Sequence, residues 1–425
     1  MQISPETLRF IEENLKADVR SLALQAKKYP QVDMAMAVVQ IAGRQIAEAK
    51  LPSWYRTGGL LYPKHLSMEQ CSSEVTAIYK ASLLQGETFA DLTGGFGIDC
   101  SFLSRRFKKA DYVERQAELC ELARHNFPLL GLEIDVHNED GVEYLKRMQP
   151  VDCLFLDPAR RDGHGGKTVA ISDCEPDVSA LEDLLVEKAK TVMVKLSPML
   201  DLSLALRDLK YVREIHVVST DNECKELLLI LQKPAISSQI SIHCINALGT
   251  SNGCRIYQEY TFTQEQERTS DCLLAKEVGT YLYEPNASIL KAGAYRSLTQ
   301  AYPVEKLHVS SHLYTSSRFI EDFPGRRFQV EAVSGFGKKE LKTFLQGMEK
   351  ANITIRNFPS SVAELRKRLK LKEGGEDYIF ATTLADESKV LIKCRKVPSV
   401  LQELQSVDFR SEAEEFLQIK NKRMR

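Results

Sequence analysis

The sequence predicts an α/β protein whose central parallel sheet is covered by helices on both faces. Between residues 72 and 233, short apolar segments alternate with helical patterns such as 115–127 and 179–189, and this alternation is typical of a doubly wound sheet. Two apolar segments, KTVMVKL and ELLLILQ, contain few polar residues, which indicates strands buried on both faces. The predicted strands are 87–91, 110–114, 132–137, 152–157, 190–196, 213–218 and 226–232.

The length and composition describe a multidomain globular protein. The chain has 425 residues, of which 43% are hydrophobic and 27% are charged, and this length exceeds what one hydrophobic core normally supports. No apolar run approaches the roughly 18 residues of a membrane span, and the first ten residues are unlike a signal peptide. We therefore expect a cytoplasmic protein without a membrane segment.

The cysteines indicate neither a disulfide framework nor a metal centre. The chain has ten cysteines, and they form no CxxC pair and no cysteine–histidine cluster. Such scattered thiols are typical of a protein in a reducing compartment. We expect no metal site.

The N-terminal 65 residues are predicted to be helical. Residues 4–29 carry an apolar stripe with helical spacing, and a second helix is expected over 32–49. Residues 51–63 are interpreted as an irregular connector that contains the only tryptophan. The stripe consists of Leu8, Ile11, Leu15, Val19, Leu22 and Ala26.

The pattern becomes less regular after residue 233 and predicts small α+β modules. Strands are expected over 237–246 and 260–263, and helices over 264–278 and 287–301. Further on, Ser361 and Glu364 form a capping box before a strongly basic helix, Gly374-Gly375 ends it, and YIFATT and KVLIKC predict a strand pair. The predicted domains are 1–65, helical; 66–233, the α/β core; 234–322, a connecting α+β segment; 323–397, a basic module; and 398–425, a helical tail.

A glycine-rich loop follows the first predicted strand, in the sequence FADLTGGFGIDC. Asp91, Gly95 and Gly97 follow the pattern DxxxGxG, and Cys100 stands where a dinucleotide fingerprint has its third glycine. Glycines there let the backbone approach a nucleotide-like ligand closely. Glu114 ends the next strand, where an acid suits a ribose diol. Because Cys100 replaces the third glycine of the dinucleotide fingerprint, an NAD-dependent enzyme is disfavoured.

A second loop, LFLDPARRD, ends a later strand. Three successive strand ends that carry glycine, an acid and Asp-Pro resemble motifs I, II and IV of class I S-adenosylmethionine-dependent methyltransferases. The chain as a whole resembles bacterial members with ferredoxin-like and THUMP-like C-terminal domains. This resemblance implies a Rossmann-like seven-stranded core in which the last strand is an antiparallel insertion.

The cofactor roles follow from this pattern. The loop glycines would turn under the amino-acid end of S-adenosylmethionine, and Glu114 would accept the ribose hydroxyls. Asp140 would meet the adenine amino group, with a helix N-cap as the alternative. A glycine turn without a ligand and a solvent-facing strand-end acid are the alternatives for the loop and for Glu114. The predicted cofactor-binding residues are Asp91, Thr93, Gly94, Gly95, Gly97, Asp99, Glu114 and Asp140.

The Asp-Pro loop lies where amino-group methyltransferases carry D/N-P-P-Y. Asp157 would accept a hydrogen bond from the acceptor amine, and Pro158 would fix the backbone beside it. Ala159 and Arg160 depart from the family pattern, and a guanidinium plane at Arg160 can stack on a base while Arg161 contacts phosphate. Carbon methylation through a cysteine nucleophile is disfavoured, because no thiol follows the strand that contains Cys153.

Charge is distributed unevenly along the chain. Residues 324–372 contain twelve Lys and Arg against four acids, a net charge of +8, whereas the remainder carries −9. A basic module on an acidic body predicts a polyanionic partner, and a solvated helix face is the alternative. The predicted RNA contacts there are Arg326, Arg327, Arg366, Lys367, Arg368 and Lys370.

Together these patterns predict an S-adenosylmethionine-dependent methyltransferase that modifies a nucleobase nitrogen in structured ribosomal or transfer RNA. One alternative keeps the enzyme but gives it a protein or small-molecule acceptor. The other is a nucleotide-binding protein without catalysis. The sequence leaves the oligomeric state open.

Overall fold

A computed structural model describes residues 3–160, 170–233, 239–249 and 255–398. The chain divides into two compact units, one formed by residues 1–220 and 225–241 and the other by 221–224 and 242–425. Each unit is described by itself. No helix in the described ranges is long and apolar enough to cross a membrane, and the cysteines within them are free thiols.

The first unit begins with short helices. These are α1 (Pro5–Glu13), α2 (Val19–Leu24), α3 (Met34–Lys50), α4 (Pro52–Arg56), α5 (His65–Gln70) and α6 (Glu74–Leu83). The prediction of one helix over 4–29 is wrong. The side-chain amide of Asn14 donates to the Phe10 carbonyl at the end of α1, and Asp18 caps α2 by accepting from the Ser21 N–H. Polar side chains that pair with nearby backbone groups thus interrupt the helix despite the apolar stripe.

The first unit continues as alternating strands and helices. Its strands are β1 (Thr88–Asp91), β2 (Lys109–Glu114), β3 (Asp135–Asn138), β4 (Val151–Leu156), β5 (Ala159–Arg160), β6 (Cys174–Glu175), β7 (Ala189–Leu196), β8 (Val212–Thr220) and β9 (Glu223–Leu231). Its helices are α7 (Ile98–Leu103), α8 (Ala117–Leu129), α9 (Gly141–Arg147), α10 (Val178–Lys188) and α11 (Leu202–Asp208).

Seven of these strands form the sheet that the sequence predicts. Their order is β8-β9-β7-β4-β1-β2-β3. The neighbours from β7 to β3 are parallel, and β9 runs antiparallel to β7. The Rossmann-like core with an antiparallel insertion is confirmed. The order of the parallel strands reverses between β1 and β4, and ligands bind at the carboxyl ends of the strands at such a point.

The N-terminal helices share a hydrophobic core with the glycine-rich loop. Trp54 of α4 is almost fully buried, and its ring centroid lies 5.0 Å from that of Phe96 in the loop. The Tyr62 ring belongs to the same cluster, and its centroid lies 6.2 Å from that of Phe96. The loop after β1 therefore rests on aromatic side chains from the helical region.

The second unit contains a hairpin-like pair, β10 (Ser241–Gly249) and β11 (Arg255–Thr263), and a mixed sheet. The sheet order is β13-β14-β12-β15-β18-β17-β16. Its strands are β12 (Tyr281–Pro285), β13 (Glu305–Lys306), β14 (Tyr314–Ser316), β15 (Gly325–Ser334), β16 (Asn352–Arg356), β17 (Asp377–Thr383) and β18 (Lys389–Lys396). The helices are α12 (Gln264–Thr269), α13 (Ala287–Ala292), α14 (Ser297–Ala301), α15 (Lys338–Phe344) and α16 (Val362–Leu369).

Two helix predictions in this unit are too long. The helix expected over 264–278 ends at Thr269, and the one expected over 287–301 is divided at Gly293, which adopts a left-handed conformation with φ 79°. Glycine at that position ends a helix without steric cost. The capping box of α16 and the antiparallel pairing of β17 with β18 are confirmed. The predicted tail 398–425 lies outside the described residues, apart from its first residue, Pro398.

Both faces of the second sheet are buried. Phe380 and Ile392 belong to one core cluster, whereas their neighbours Ile379 and Leu391 pack with Leu365 of α16 in another. Successive side chains of a strand point to opposite faces. The basic helix α16 is therefore held on the sheet by its apolar side, and its polar side faces solvent.

Candidate active site

Three acids that the sequence predicts to cooperate lie along one rim of the first unit. Asp91, Glu114 and Asp157 stand at the carboxyl ends of β1, β2 and β4. The Gly95 N–H donates to Glu114 Oε2 at 2.9 Å, and the Asp157 N–H donates to Thr93 Oγ1 at 2.6 Å. The glycine-rich loop thus connects all three strand ends at the switch point of the sheet.

Glycine is required in this loop by a close approach to Tyr112. A Cβ at Gly94 would lie 2.2 Å from the Tyr112 ring, a distance that no side chain tolerates. The Tyr112 hydroxyl also donates to the Gly95 carbonyl at 2.5 Å, and Gly95 and Gly97 have φ of 56° and 87°. The loop thus passes close to the Tyr112 ring at Gly94, where a side chain would not fit.

Asp91 is a buried carboxyl group whose burial is only partly offset by the hydrogen bond from the Thr93 N–H. It is 1% exposed, and Oδ1 accepts the Thr93 N–H at 3.0 Å. Burial raises its pKa well above the usual value, and the negative charges of Asp99 and Asp157 raise the pKa further. A cation in the cleft would relieve this excess of negative charge. The sulfonium and ammonium groups of S-adenosylmethionine are such cations, so the residues present fit this cofactor.

Glu114 holds the loop through hydrogen bonds to the backbone. One oxygen accepts the Gly95 N–H, and the other accepts the Gln116 N–H at 2.8 Å. Each carboxylate oxygen can accept a second hydrogen bond. A contact between Glu114 and a ribose diol stays a prediction.

Asp140 acts as the N-cap of α9. Its Oδ1 accepts from the Val142 and Glu143 N–H groups at 2.9 and 3.1 Å. A Cβ at the next residue, Gly141, would lie 2.1 Å from the Leu92 carbonyl oxygen. The capping role that the sequence left as an alternative is present, and it places Asp140 beside the loop. A contact between Asp140 and adenine stays a prediction.

Asp157 has a partner that the sequence did not indicate. Its Oδ2 lies 2.5 Å from Nζ of Lys195, near the end of β7. The Asp157 side chain is 39% exposed, so its other oxygen remains accessible. The only signal in the sequence was one lysine near the carboxyl end of an otherwise apolar strand.

A chain of buried ion pairs extends behind Asp157. Lys195 also approaches Asp99 Oδ2 at 3.4 Å, and Asp99 Oδ1 lies 3.1 Å from Nζ of Lys80. Lys80 in turn contacts Glu226 of β9 at 2.7 Å. The hydroxyl of Ser72 accepts from both lysines, at 3.0 and 3.1 Å. These five charged groups connect α6, α7, β4, β7 and β9 below the rim.

The ion pairs determine the ionisation of this cluster. Burial by itself lowers the pKa of Lys195, but Asp157, Asp99 and Glu226 outweigh it and hold that pKa well above the usual value. Burial raises the pKa of Asp99, yet Lys80 and Lys195 bring it below the usual value. Asp99, which was predicted to bind the cofactor, therefore belongs to the supporting network of Lys80, Lys195 and Ser72.

The rest of the Asp-Pro loop enters a small ladder. Ala159 pairs with Glu175 and Arg160 with Cys174 in the β5–β6 ladder. Arg161 lies outside the described residues, and so does the Arg160 side chain. The base-stacking and phosphate roles of these arginines stay predictions, as does the role of Pro158.

Three of the arginines predicted to contact RNA have roles in packing. Arg327 is buried and donates to the Glu321 carbonyl. Arg326 pairs with the buried carboxylate of Glu284, which also pairs with Arg356 at 2.7 Å. Arg366 donates to the Ala351 carbonyl at 3.1 Å. These guanidinium groups are occupied within the second unit.

Other basic residues of this unit face solvent. Eight of them, all between residues 338 and 372, form no ion pair with a carboxylate in the described residues. The Arg368 guanidinium lies 4.8 Å from the centroid of Phe336, which in turn stacks on Phe358. The exposed set, called the basic face below, consists of Lys338, Lys339, Lys342, Lys350, Lys367, Arg368, Lys370 and Lys372.

Two family models match the second unit. One describes a ferredoxin-like domain and covers residues 281–324. The other describes a THUMP domain-like module and covers residues 325–396. The second range contains the whole basic face.

Known proteins are similar along most of the chain. A candidate methyltransferase from Porphyromonas gingivalis W83, known from a crystal structure, is 35% identical with a TM-score of 0.82, and the match covers 94% of this chain and 100% of that one. An uncharacterized S-adenosylmethionine-dependent methyltransferase of Mycobacterium tuberculosis is 23% identical over 312 residues, which are 72% of this chain and 80% of its own. The chain therefore belongs to the family of S-adenosylmethionine-dependent methyltransferases with ferredoxin-like and THUMP-like C-terminal domains, and S-adenosylmethionine is its cofactor.

Proposed function

We propose that this methyltransferase modifies a nucleobase nitrogen in structured RNA, either ribosomal or transfer RNA. The basic face carries the proposal, because the THUMP-like module contains eight exposed cations that have no carboxylate partner among the described residues. Double-stranded RNA is bound mostly through shape and phosphate contacts, and unpaired lysines and arginines supply such contacts. For an enzyme that acts on such RNA, we propose a cytoplasmic location.

Asp157 is the proposed acceptor group at the reacting nitrogen. Its Oδ2 is engaged by Lys195, and its second oxygen can accept a hydrogen bond from an exocyclic amine. Bound S-adenosylmethionine supplies an already activated methyl group. The protein then has to hold the amine in line with it, and such positioning lowers a barrier by roughly 7–11 kcal/mol.

The nitrogen loses a proton when it becomes methylated. We assign that proton to Asp157, directly or through water, because this carboxylate is the hydrogen-bond partner proposed for the amine. The positive charge of Lys195 partly neutralises the carboxylate. In this proposal Asp157 first orients the amine through the hydrogen bond and then takes the proton as the new bond forms.

Transfer of a labelled methyl group tests the proposal. RNA from cells that lack this protein is incubated with the purified full chain and labelled S-adenosylmethionine, and total protein from the same cells serves in parallel. We expect label in RNA, sensitive to ribonuclease and absent when RNA from cells that contain the protein is used. Label in protein or small molecules without label in RNA would refute the RNA acceptor while leaving the methyltransferase chemistry in place.

A further inference from the structure

The second unit contains a cavity of about 220 Å³ whose walls are charged and aromatic. None of its residues has a role in the proposed methyl transfer. The volume has room for several water molecules, and therefore for a small solute. The cavity is lined by Glu267, Cys272, Tyr295, Arg296, Lys306 and Val309.

Lys306 is a buried ammonium group with a single hydrogen bond. Its side chain lines the cavity although the residue is only 2% exposed, and Nζ donates to the Val309 carbonyl at 2.7 Å. Within the described residues, no carboxylate lies within ion-pair distance of Nζ, and its other neighbour is the Tyr295 ring at 5.1 Å. An ammonium group has three donors. Two of them lack a protein acceptor in this part of the chain.

The one acid in the wall is already used elsewhere. The carboxylate of Glu267 accepts from the N–H groups of Tyr295 and Arg296 at 2.9 and 2.8 Å. It also accepts from the N–H and the hydroxyl of Ser297 at 2.9 and 2.8 Å. Four hydrogen bonds occupy the lone pairs of Glu267. Within the described part of the chain, Lys306 therefore faces the cavity without a carboxylate at ion-pair distance, although Glu267 acts on it from farther away, and a buried charge without a direct partner is costly.

Further groups that suit an anion surround Lys306. The exposed guanidinium residue Arg296 lines the same wall. The His312 ring stacks on Tyr295 with centroids 3.7 Å apart, and its buried Nδ1 has no hydrogen-bond partner in the described residues. Burial, then Lys306 and Arg356, lower the pKa of His312 to about 4. The pKa of Lys306 is lowered too, by burial above all. For Lys306 the nearby Cys272 and Glu267 oppose the effect of burial, whereas for His312 the positive charges of Lys306 and Arg356 add to it.

We propose that this cavity binds a phosphate group, free or as a mononucleotide, between Lys306 and Arg296. A phosphate oxygen would accept the two unused ammonium donors of Lys306, and a second would pair with the guanidinium group of Arg296. The anion supplies the missing counter-charge. This site is distinct from the basic face, and it needs neither an RNA acceptor nor methyl transfer.

Titration calorimetry and thermal unfolding of the full chain test the site. The titrants are inorganic phosphate, adenosine 5′-monophosphate and acetate, in a phosphate-free buffer with chloride at matched ionic strength. We expect phosphate to bind and to raise Tm above the chloride control, because a ligand that binds only the folded state stabilises it. Tighter binding of the mononucleotide identifies a nucleotide as the source of the phosphate, and equal affinity identifies free phosphate.

Lys306→Met and Arg296→Gln are the diagnostic variants, and Lys276→Met is the matched control because Lys276 is exposed and outside the cavity. We expect Lys306→Met to weaken phosphate binding at least about tenfold, which is 1.4 kcal/mol, and Lys276→Met to leave it unchanged. Arg296 is exposed, so its variant reports on the site even if Lys306→Met does not fold. The site is disproved if phosphate stabilises the wild type no more than chloride does, or if binding survives both cavity variants.

Discussion

Nζ of Lys195 lies 2.5 Å from Oδ2 of Asp157, so an ammonium group from the neighbouring strand fixes one oxygen of the carboxylate that we assign to the methyl acceptor. The same ammonium group reaches Asp99 and Ser72. The orientation of Asp157 therefore depends on a network that begins in α6 and ends in β9.

Replacing Asp157 tests its assigned role. We expect Asp157→Ala to reduce methyl transfer by about 10²-fold or more, the usual contribution of a positioned acid–base group, while S-adenosylmethionine affinity by calorimetry stays near normal. Asp157→Asn keeps an acceptor oxygen and should retain more activity than Ala. The exposed Asp135 provides the control Asp135→Ala. Loss of cofactor binding together with transfer would refute the role.

Replacing Lys195 tests whether it positions Asp157. We expect Lys195→Met to lower kcat more than it raises the KM for S-adenosylmethionine, because Asp157 loses the partner that orients it. A crystal structure of the variant should show the Asp157 carboxylate in another rotamer. An unchanged Asp157 together with an unchanged kcat would contradict this interpretation.

The ionisation of Asp91 predicts a pH dependence for cofactor binding. Its raised pKa means that the folded protein keeps a proton that an ordinary aspartic acid side chain loses near pH 3.8. Folding therefore loses stability as pH rises from that value through the raised pKa, and a cationic ligand binds better once the proton is lost. We expect affinity for S-adenosylmethionine to increase with pH across this range in the wild type.

Asp91→Asn separates the two effects of this residue. The variant should have a higher Tm at neutral pH, because no ionised group is buried, and a weaker cofactor affinity that no longer varies with pH over the range. Calorimetry in buffers with different ionisation enthalpies would detect the proton released on binding to the wild type. Equal pH dependence in both proteins would exclude Asp91 as the titrating group.

The contact between Gly94 and Tyr112 predicts a steric effect. Gly94→Ala places a Cβ 2.2 Å from the ring, so the loop must move, at a cost of about 1–3 kcal/mol for overpacking. We expect a lower free energy of unfolding and cofactor affinity reduced about tenfold or more. Gly58→Ala is the control, since no atom lies within 4 Å of its Cβ position. A normal cofactor affinity in Gly94→Ala would refute the conclusion that the close approach of Gly94 to Tyr112 matters for cofactor binding.

The basic face predicts a salt-dependent interaction with RNA. We expect the triple variant Lys338→Gln, Lys342→Gln and Lys367→Gln to bind transfer or ribosomal RNA more weakly, with a slope of log K against log salt that is smaller by roughly 2–3. The comparison is a triple variant at other exposed sites of the same unit, Lys276→Gln, Arg318→Gln and Lys389→Gln, which changes the net charge equally. Equal losses in both would show that overall charge, and not this face, attracts RNA.

Much of the first unit was predictable because its signals are local. Glycine after β1, an acid after β2 and Asp-Pro after β4 are each read within a few residues, and parallel strands bring their carboxyl ends to one edge. The Lys195 network was not predictable in this way. Lys80, Asp99, Lys195 and Glu226 are scattered over almost 150 positions, and only the assembled sheet brings them together.

In the second unit, the sequence was a poorer guide to which residues are available for binding. A run of arginines indicates positive charge, but the sequence does not say which guanidinium groups are already paired. Arg326 is paired with the buried Glu284, and Glu284 lies 42 residues away in the chain. Two of the helices that were predicted too long end at a single residue, Asn14 after α1 and Gly293 after α13, and one such residue outweighs an otherwise helical pattern.

The packing of Phe96 against Trp54 and Tyr62 has a consequence for truncated versions of this protein. A fragment that began at β1 would retain every residue assigned to the cofactor and to the acceptor, yet the underside of its ligand-binding turn would be exposed to water. The N-terminal helices are thus a structural part of the catalytic unit, and excising them is equivalent to damaging the cofactor pocket.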